Sequence, residues 1–221
     1  AARITQSSSY KDEIDEIISQ TRQPVMVVNR KLRKHQSHCV CCDHKTASFN
    51  ATRALLERGH REIAFITGSP DSPTALERLA GYKEALRQHG ITPAASLIVE
   101  GKWTPASGAQ AVKTLLESGT SFSGLIASND DMAVGALKAL TDAGIPVPQH
   151  VSLIGFDNSP TAPFLSPALA SVKDPVTDMV HETINRLIAM LDGGYLSRDN
   201  LFVSELILRD SVGNGPYCAR S

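Results

Sequence analysis

No apolar run in the sequence approaches the roughly 20 residues that a membrane helix needs, so a membrane-spanning role is not expected. Net charge is also nearly absent: 22 Lys and Arg stand against 23 Asp and Glu. There is no basic surplus to attract a phosphate backbone by counterion release. Aromatic residues make up only 5%, and Trp103 is the single tryptophan. Common catalytic signatures are missing too: no nucleophile elbow, no phosphate-cradling glycine loop, no His-Glu-x-x-His run and no paired Cys motif. Asp130 and Asp131 are adjacent carboxylates entering a helix, where neighbouring side chains diverge and cannot flank one bond. Gly68-Ser69 lacks the rest of a hydrolase signature. These absences point away from catalysis and towards binding.

Cysteine is present without a disulfide framework. Cys39, Cys41 and Cys42 crowd one segment and Cys218 stands apart. A tetrahedral metal site would need further ligands; His35, His38 and His44 are near, but no second Cys pair follows. No metal and no cofactor is expected. The simpler reading is a strand with reduced thiols, in which Cys behaves as a small apolar residue. No signal peptide is visible, and Ala1-Ala-Arg-Ile-Thr5 does not resemble a natural start.

A chain of 221 residues, 42% apolar and 20% charged, fits one large α/β domain or two smaller lobes. From residue 46 onward amphipathic helices alternate with short apolar strands. Ala47, Ala51, Ala54 and Leu55 fall at helical spacing, as do Gly108, Val112, Leu115 and Leu116, and then Met132, Ala136, Ala139 and Leu140. Gly59, Gly90, Gly119, Gly144 and Gly193 follow the periodic runs, where a left-handed cap suits glycine. Between them Ile63-Ala-Phe-Ile-Thr67, Leu97-Ile-Val99, Leu125-Ile-Ala127 and Val151-Ser-Leu-Ile-Gly-Phe156 are near-continuous apolar runs, as expected of strands covered on both faces. Parallel strands in a doubly wound sheet follow. Upstream, Asp12 to Ser19 reads as a helix and Val25 to Val28 as a strand. Downstream, Val180, Ile184, Leu187, Ile188 and Leu191 mark a helix and Leu201 to Leu208 a last strand.

In open α/β sheets the ligand crevice lies outside the carboxyl ends of the strands. The polar residues in those places are Asn29, Ser69, Asn129, Asp130 and Asp157. Amides and carboxylates paired with an arginine fork match the donors and acceptors of adjacent sugar hydroxyls, and Arg78, near a helix start, can supply the fork. Trp103, in the loop Glu100-Gly-Lys-Trp-Thr-Pro105, can offer a flat apolar face to a pyranose ring. Each residue also has a plainer reading. Asn129 and Asp130 can be N-caps, Arg78 a solvated helix residue, Trp103 a packing residue, and Asp157 the start of a turn through Asn158-Ser-Pro160. Spacing alone supports a small-molecule binding module.

Several ordered runs resemble the lactose-repressor and galactose-repressor family of transcription regulators. They are Gly59-His60 before Ile63-Ala-Phe-Ile-Thr-Gly68, Glu77-Arg-Leu-Ala-Gly-Tyr82, Ser128-Asn-Asp-Asp-Met-Ala-Val-Gly135, Val151-Ser-Leu-Ile-Gly-Phe-Asp157 and Leu206-Ile-Leu-Arg-Asp-Ser211. Glu100-Gly-Lys-Trp-Thr-Pro-Ala-Ser-Gly108 and Ser171-Val-Lys-Asp-Pro-Val-Thr177 look closest to the galactose branch and to regulators of β-glucoside use.

The resemblance implies an α/β, periplasmic-binding-protein-like fold of two doubly wound parallel-sheet lobes joined by three crossovers near Cys42, Lys173 and Asp199. On that division 1–42 with 174–198 form an N-terminal lobe, expected to be incomplete, and 43–173 with 199–221 a C-terminal lobe, expected to be the better defined. By motif position Arg78, Asn129 and Asp157 become effector ligands, Trp103 an aromatic lining the site, and Asn29 and Cys42 further lining positions. The implied function is the sugar-sensing and dimerisation core of a bacterial, cytoplasmic repressor, with the ligand changing the lobe angle. A sugar or sugar derivative is the ligand, a homodimer the assembly, and operator DNA is met only through a headpiece that this sequence does not contain. The alternatives are a periplasmic sugar-binding protein of a transporter and a dimerisation scaffold that binds no ligand.

Overall fold

The computed structural model describes residues 10–194 and 201–217. The chain divides into two compact units, Ala1–Asp43 with Pro175–Val203 and His44–Asp174 with Ser204–Ser221. The last crossing follows Val203 rather than lying near Asp199.

The second unit is built on a six-stranded sheet. Its strands are β3 (Ile63–Thr67), β4 (Ile98–Glu100), β5 (Gly124–Ala127), β6 (Ser152–Phe156), β7 (Ala170–Lys173) and β9 (Glu205–Ile207), in the order β4-β3-β5-β6-β7-β9. The first five are parallel, with Ile63 opposite Gly124 and Leu125 opposite Leu153. β9 runs antiparallel to β7. Every residue of β5 and β6 is buried, which explains why these strands read as unbroken apolar runs.

Two helix pairs cover the faces of this sheet. On one side α2 (His44–Glu57) and α3 (Pro73–Gln88) close over Phe65, Ile126, Ile154 and Phe156. On the other, α4 (Pro105–Glu117) and α5 (Asp130–Asp142) pack with Ile66, Leu125 and Leu153. The apolar stripes counted in the sequence are the buried sides of α2, α4 and α5, except that Leu116 is only partly buried. The helix starts have local causes. Ser72 accepts from the Ala75 amide ahead of Pro73, Thr104 and Ser107 form a capping box ahead of Pro105, and Asn129 caps α5. α2 and α3 meet closely at Gly81, where a Cβ would stand 2.0 Å from the Lys45 carbonyl oxygen. Any side chain there would push the two helices apart.

The first unit holds α1 (Tyr10–Gln20), β1 (Val27–Val28), β2 (Cys39–Cys42), α6 (Val176–Leu191) and β8 (Leu201–Phe202). Its three strands are parallel in the order β1-β2-β8. Cys39 and Cys41 pack with Ile18 and Leu32, and Val40 and Cys42 with Met179. The cysteines of β2 are buried thiols outside any disulfide, used as small apolar residues.

Two sequence expectations change here. The strand expected over Val25 to Val28 is two residues long. The run Leu201 to Leu208 is not one strand: β8 pairs with β2 and β9 with β7, because the chain crosses between units after Val203. β7 itself went unread, since Ala170-Ser-Val-Lys173 is short and half polar.

Candidate functional site: an arginine between carboxylates at the strand ends

Arg78 lies inside α3 rather than at its start, and it is not solvated: only 3% of the residue is exposed. Its Nη1 donates to the carbonyl oxygen of Ser128, just beyond β5. Its guanidinium carbon sits 4.2 Å from the centre of the Phe156 ring, at the end of β6. Nη2 stands 3.8 Å from Asp157 Oδ1, 3.6 Å from Asp174 Oδ2 and 3.4 Å from His44 Nδ1. Beside a cation, that imidazole nitrogen is the acceptor. One guanidinium therefore joins the carboxyl ends of β5, β6 and β7 to the start of α2. Burying it is tolerable only because carbonyl, carboxylate and ring partners surround it.

Asp157 is the exposed member of this group, with 53% of its side chain open to solvent, against 13% for Asp174. Its carboxyl group is pushed up to about 6, first by loss of hydration among its neighbours. Arg78 opposes the shift, and the nearby Asp130, Asp174 and Asp131 add to it. Its backbone is unusual as well: φ is +98° at Asp157 and +47° at Asn158. The turn is held from outside. The Asp157 amide donates to Val172 O at 2.8 Å, the Asn158 amide to Ser171 Oγ at 3.0 Å, and Arg209 Nη2 to Asn158 Oδ1 at 2.6 Å. Arg209, in the closing motif of the chain, thus fixes the turn that presents Asp157.

Asn129 follows its plainer reading as the N-cap of α5, whereas Asp130 lies in the first turn and does not cap it. Asn129 Oδ1 accepts from the Met132 amide at 2.9 Å and Nδ2 donates to Trp103 O at 3.2 Å. A second lone pair and a second amide hydrogen remain beyond these two bonds. Asp130 is buried and takes the Ser171 hydroxyl and the Ser159 amide, each at 2.6 Å. Burial raises its pKa, partly offset by those hydrogen bonds. It is a brace between the start of α5, β7 and the turn after Asp157.

Trp103 combines its two readings. The ring is partly buried against the α4–α5 core and lies on the backbone of Gly68, where a Cβ would fall 2.0 Å from Trp103 Cζ2. Its φ is +62°. Among the described residues four non-glycines have positive φ, namely Asn29, Trp103, Asp157 and Asn158, and three of these were picked out as site residues. Bulky residues in this region carry strain that surrounding structure must hold, and such positions cluster at functional sites.

Arg78, Trp103, Asn129 and Asp157 all belong to the second unit. Asn129 touches Trp103, and Arg78 pairs with Asp157. Asn29 and Cys42 belong to the first unit. Asn29 is exposed just past β1, with φ +58° and its amide donating to Val40 O at 2.7 Å. Cys42 is buried, its sulfur 3.2 Å from Met179 Sδ. Sequence reasoning missed Asp174, His44 and Arg209. Asp174 was within reach, because it directly follows β7, but that strand had not been recognised. A groove of about 300 Å³ between α2 and α3, lined by Lys45, Phe49 and Glu84 among others, contains none of these residues.

Residues 52–212 match the family described as the periplasmic binding protein-like domain. The chain is 61% identical over 201 residues to the HTH-type transcriptional regulator AscG of Escherichia coli strain K12, an alignment covering 91% of this chain and 60% of that protein. The chain therefore spans about 60% of that relative's length. A crystal structure of a sugar-binding LacI-family transcriptional regulator from Escherichia coli, complexed with phosphate, matches with a TM-score of 0.88 and 60% identity, over 91% of this chain and 73% of that one. A complex of the transcriptional regulator CelR with cellobiose matches with a TM-score of 0.78 and 25% identity, over 93% of this chain and 71% of that one. On these grounds the chain belongs to the periplasmic-binding-protein-like domain family, in its LacI-type branch of transcriptional regulators.

Proposed function

We propose that this chain is the sugar-sensing core of a transcriptional repressor, and that its second unit receives the sugar at Arg78, Trp103, Asn129 and Asp157. The observation that carries the reading is the buried Arg78 held between Asp157 and Asp174 at the ends of three strands. A fixed guanidinium beside an exposed carboxylate offers donors and acceptors at the spacing of neighbouring hydroxyls, and Trp103 supplies an apolar surface. The cellobiose complex of CelR and the sugar-binding regulator from Escherichia coli support a sugar as the ligand class. Asn29 is proposed as a further ligand, whereas Cys42, buried with its sulfur 3.2 Å from Met179 Sδ, presents no side-chain group to a sugar. The sugar must favour one arrangement of the two units over another for a signal to result.

Operator DNA, a homodimer and a cytoplasmic setting complete the proposal, with DNA contacted by a headpiece outside this sequence. A net charge of −1 gives the chain no electrostatic pull of its own on DNA. No described helix is long and apolar enough to cross a membrane. Catalysis is not part of the reading, since the similar proteins are described as transcriptional regulators.

Calorimetric titration with cellobiose, salicin and galactose tests the reading. Arg78→Lys removes the planar fork and is expected to weaken binding at least tenfold, about 1.4 kcal/mol. Affinity should rise with pH through about 6, because a hydroxyl donates more strongly to the Asp157 carboxylate than to its protonated form. Asp157→Asn should flatten that profile. Absence of binding by every sugar, or binding indifferent to both substitutions, would sink the proposal.

A further inference from the structure

The chain passes between its units at three places, and the residues of the second unit that flank them are His44, Asp174 and Ser204. Ser204 bonds to Asp174, and Arg78 faces both Asp174 and His44. Ser204 Oγ donates to Asp174 Oδ1 at 2.6 Å. Asp174 Oδ2 lies 3.6 Å from Arg78 Nη2 and 4.0 Å from His44 Nδ1. His44 and Ser204 are both buried.

The pairing of β7 with β9, Lys173 opposite Glu205, explains why Asp174 and Ser204 are neighbours. It does not explain a charge there, because an asparagine oxygen would accept from Ser204 equally well. The charge is accounted for by Arg78. Nη2 stands between Asp174 at 3.6 Å and Asp157 at 3.8 Å, both beyond ordinary hydrogen-bond length. Neither carboxylate has closed on the guanidinium, and Asp157 is the one that a ligand can reach.

We infer that Asp174 is a positioning residue through which occupation of Arg78 and Asp157 is passed to the crossover segments at 174 and 204, while His44 takes it from Arg78 directly at the third. The inference rests on the sugar-binding reading above. A hydroxyl that engages Asp157 and Arg78 changes how the guanidinium is shared; Asp174 and His44, which both face Nη2, follow the guanidinium, and Ser204 follows Asp174.

Hydrogen–deuterium exchange on the 221-residue chain, with and without saturating cellobiose or salicin, tests this alongside calorimetry. In the unaltered chain the sugar should slow exchange roughly threefold or more in segments 40–46, 172–177 and 201–206. Asp174→Asn, held at a sugar concentration raised to saturate it, should lose the sugar-dependent slowing in 172–177 and 201–206 while keeping it in 40–46, where His44 faces Arg78 directly. Ser204→Ala, which leaves the charge in place, should lose it only in 201–206, and this variant decides the matter if Asp174→Asn does not fold. An unchanged response in either variant overturns the inference while leaving sugar binding intact. Failure of the unaltered chain to bind either sugar removes the parent reading and this one with it.

Discussion

In the second unit five parallel strands are covered on both faces by helix pairs, whereas the first unit has three short strands and leaves much of α6 open. Val176, Val180, Ile184, Ile188 and Leu191 form an exposed apolar stripe along that helix, while Met179 and Arg186 are its buried residues. Where both faces of a strand are buried, polar side chains are confined to the strand's ends, and the fixed carboxyl ends hold them in one plane. Arg78, Asp157 and Asp174 gain their precision from that rigidity. In the first unit the same rule picks out Asn29, but on a strand of two residues.

Core truncations should separate the units most strongly. Phe65→Ala, in the centre of the second unit, should cost about 3–5 kcal/mol. Met179→Ala, in the small cluster with Val40 and Cys42, should fall near the low end of its class, about 2 kcal/mol, because a small cluster can collapse around the gap. Urea melts followed by hydrogen exchange would check this. Equal costs would break the comparison.

A pH effect should belong to the second unit. His60 is buried, with Nε2 facing Gly213 O at 3.3 Å and Nδ1 facing Ser123 Oγ at 3.0 Å. A carbonyl only accepts, so Nε2 carries the proton and the neutral ring is satisfied. Burial lowers its pKa below that of the unfolded chain. Its contribution to stability is therefore full above about pH 6.5 and declines as the pH falls, because the unfolded chain then binds the extra proton. Asp157 and Asp130, with raised values, act in the opposite sense. The signature is thus the difference between the original chain and His60→Gln, which should narrow between pH 7.5 and 5.5 in denaturant melts.

Substituting the exposed stripe should sharpen the contrast without unfolding anything. Ile184→Lys with Ile188→Lys should alter stability by about 0.5 kcal/mol or less per site. The same pair should sharply reduce binding of an apolar dye, since contiguous exposed apolar surface attracts such probes. Undiminished dye binding would move the apolar patch elsewhere. The smallest effect is expected at Ser128, whose buried hydroxyl finds no hydrogen-bond partner among the described residues. Ser128→Ala should be neutral within about 0.5 kcal/mol, or slightly stabilising.

The alternation of βα units, the stripes of α2, α4 and α5, and strands β3, β5 and β6 were legible because burial on both faces imposes long apolar runs and helical spacing. β7 was not, because its polar members Ser171 and Lys173 break the pattern: Ser171 is buried by bonding to Asp130 across the sheet. Helix α6 was legible as a helix, but not which of its sides is covered. Strand-end position located Asp157 and Asn129, an expected helix start brought in Arg78, and the family motif made it an effector ligand. The cap at Asn129 was readable, but not its bond to Trp103, nor that Asp130 bonds to two serines.

By itself, then, the amino-acid sequence determined the class of fold, the order of most elements, and the plane in which polar groups would gather, since these follow from local spacing and from the exclusion of polar side chains from covered strands. The tertiary structure alone decided that Arg78 is buried rather than solvated, that Asp174 and His44 stand beside it, and that Arg209 holds the turn under Asp157. Those relations join residues far apart in the chain, and no local pattern encodes a distance that only the packing of several strands and helices sets.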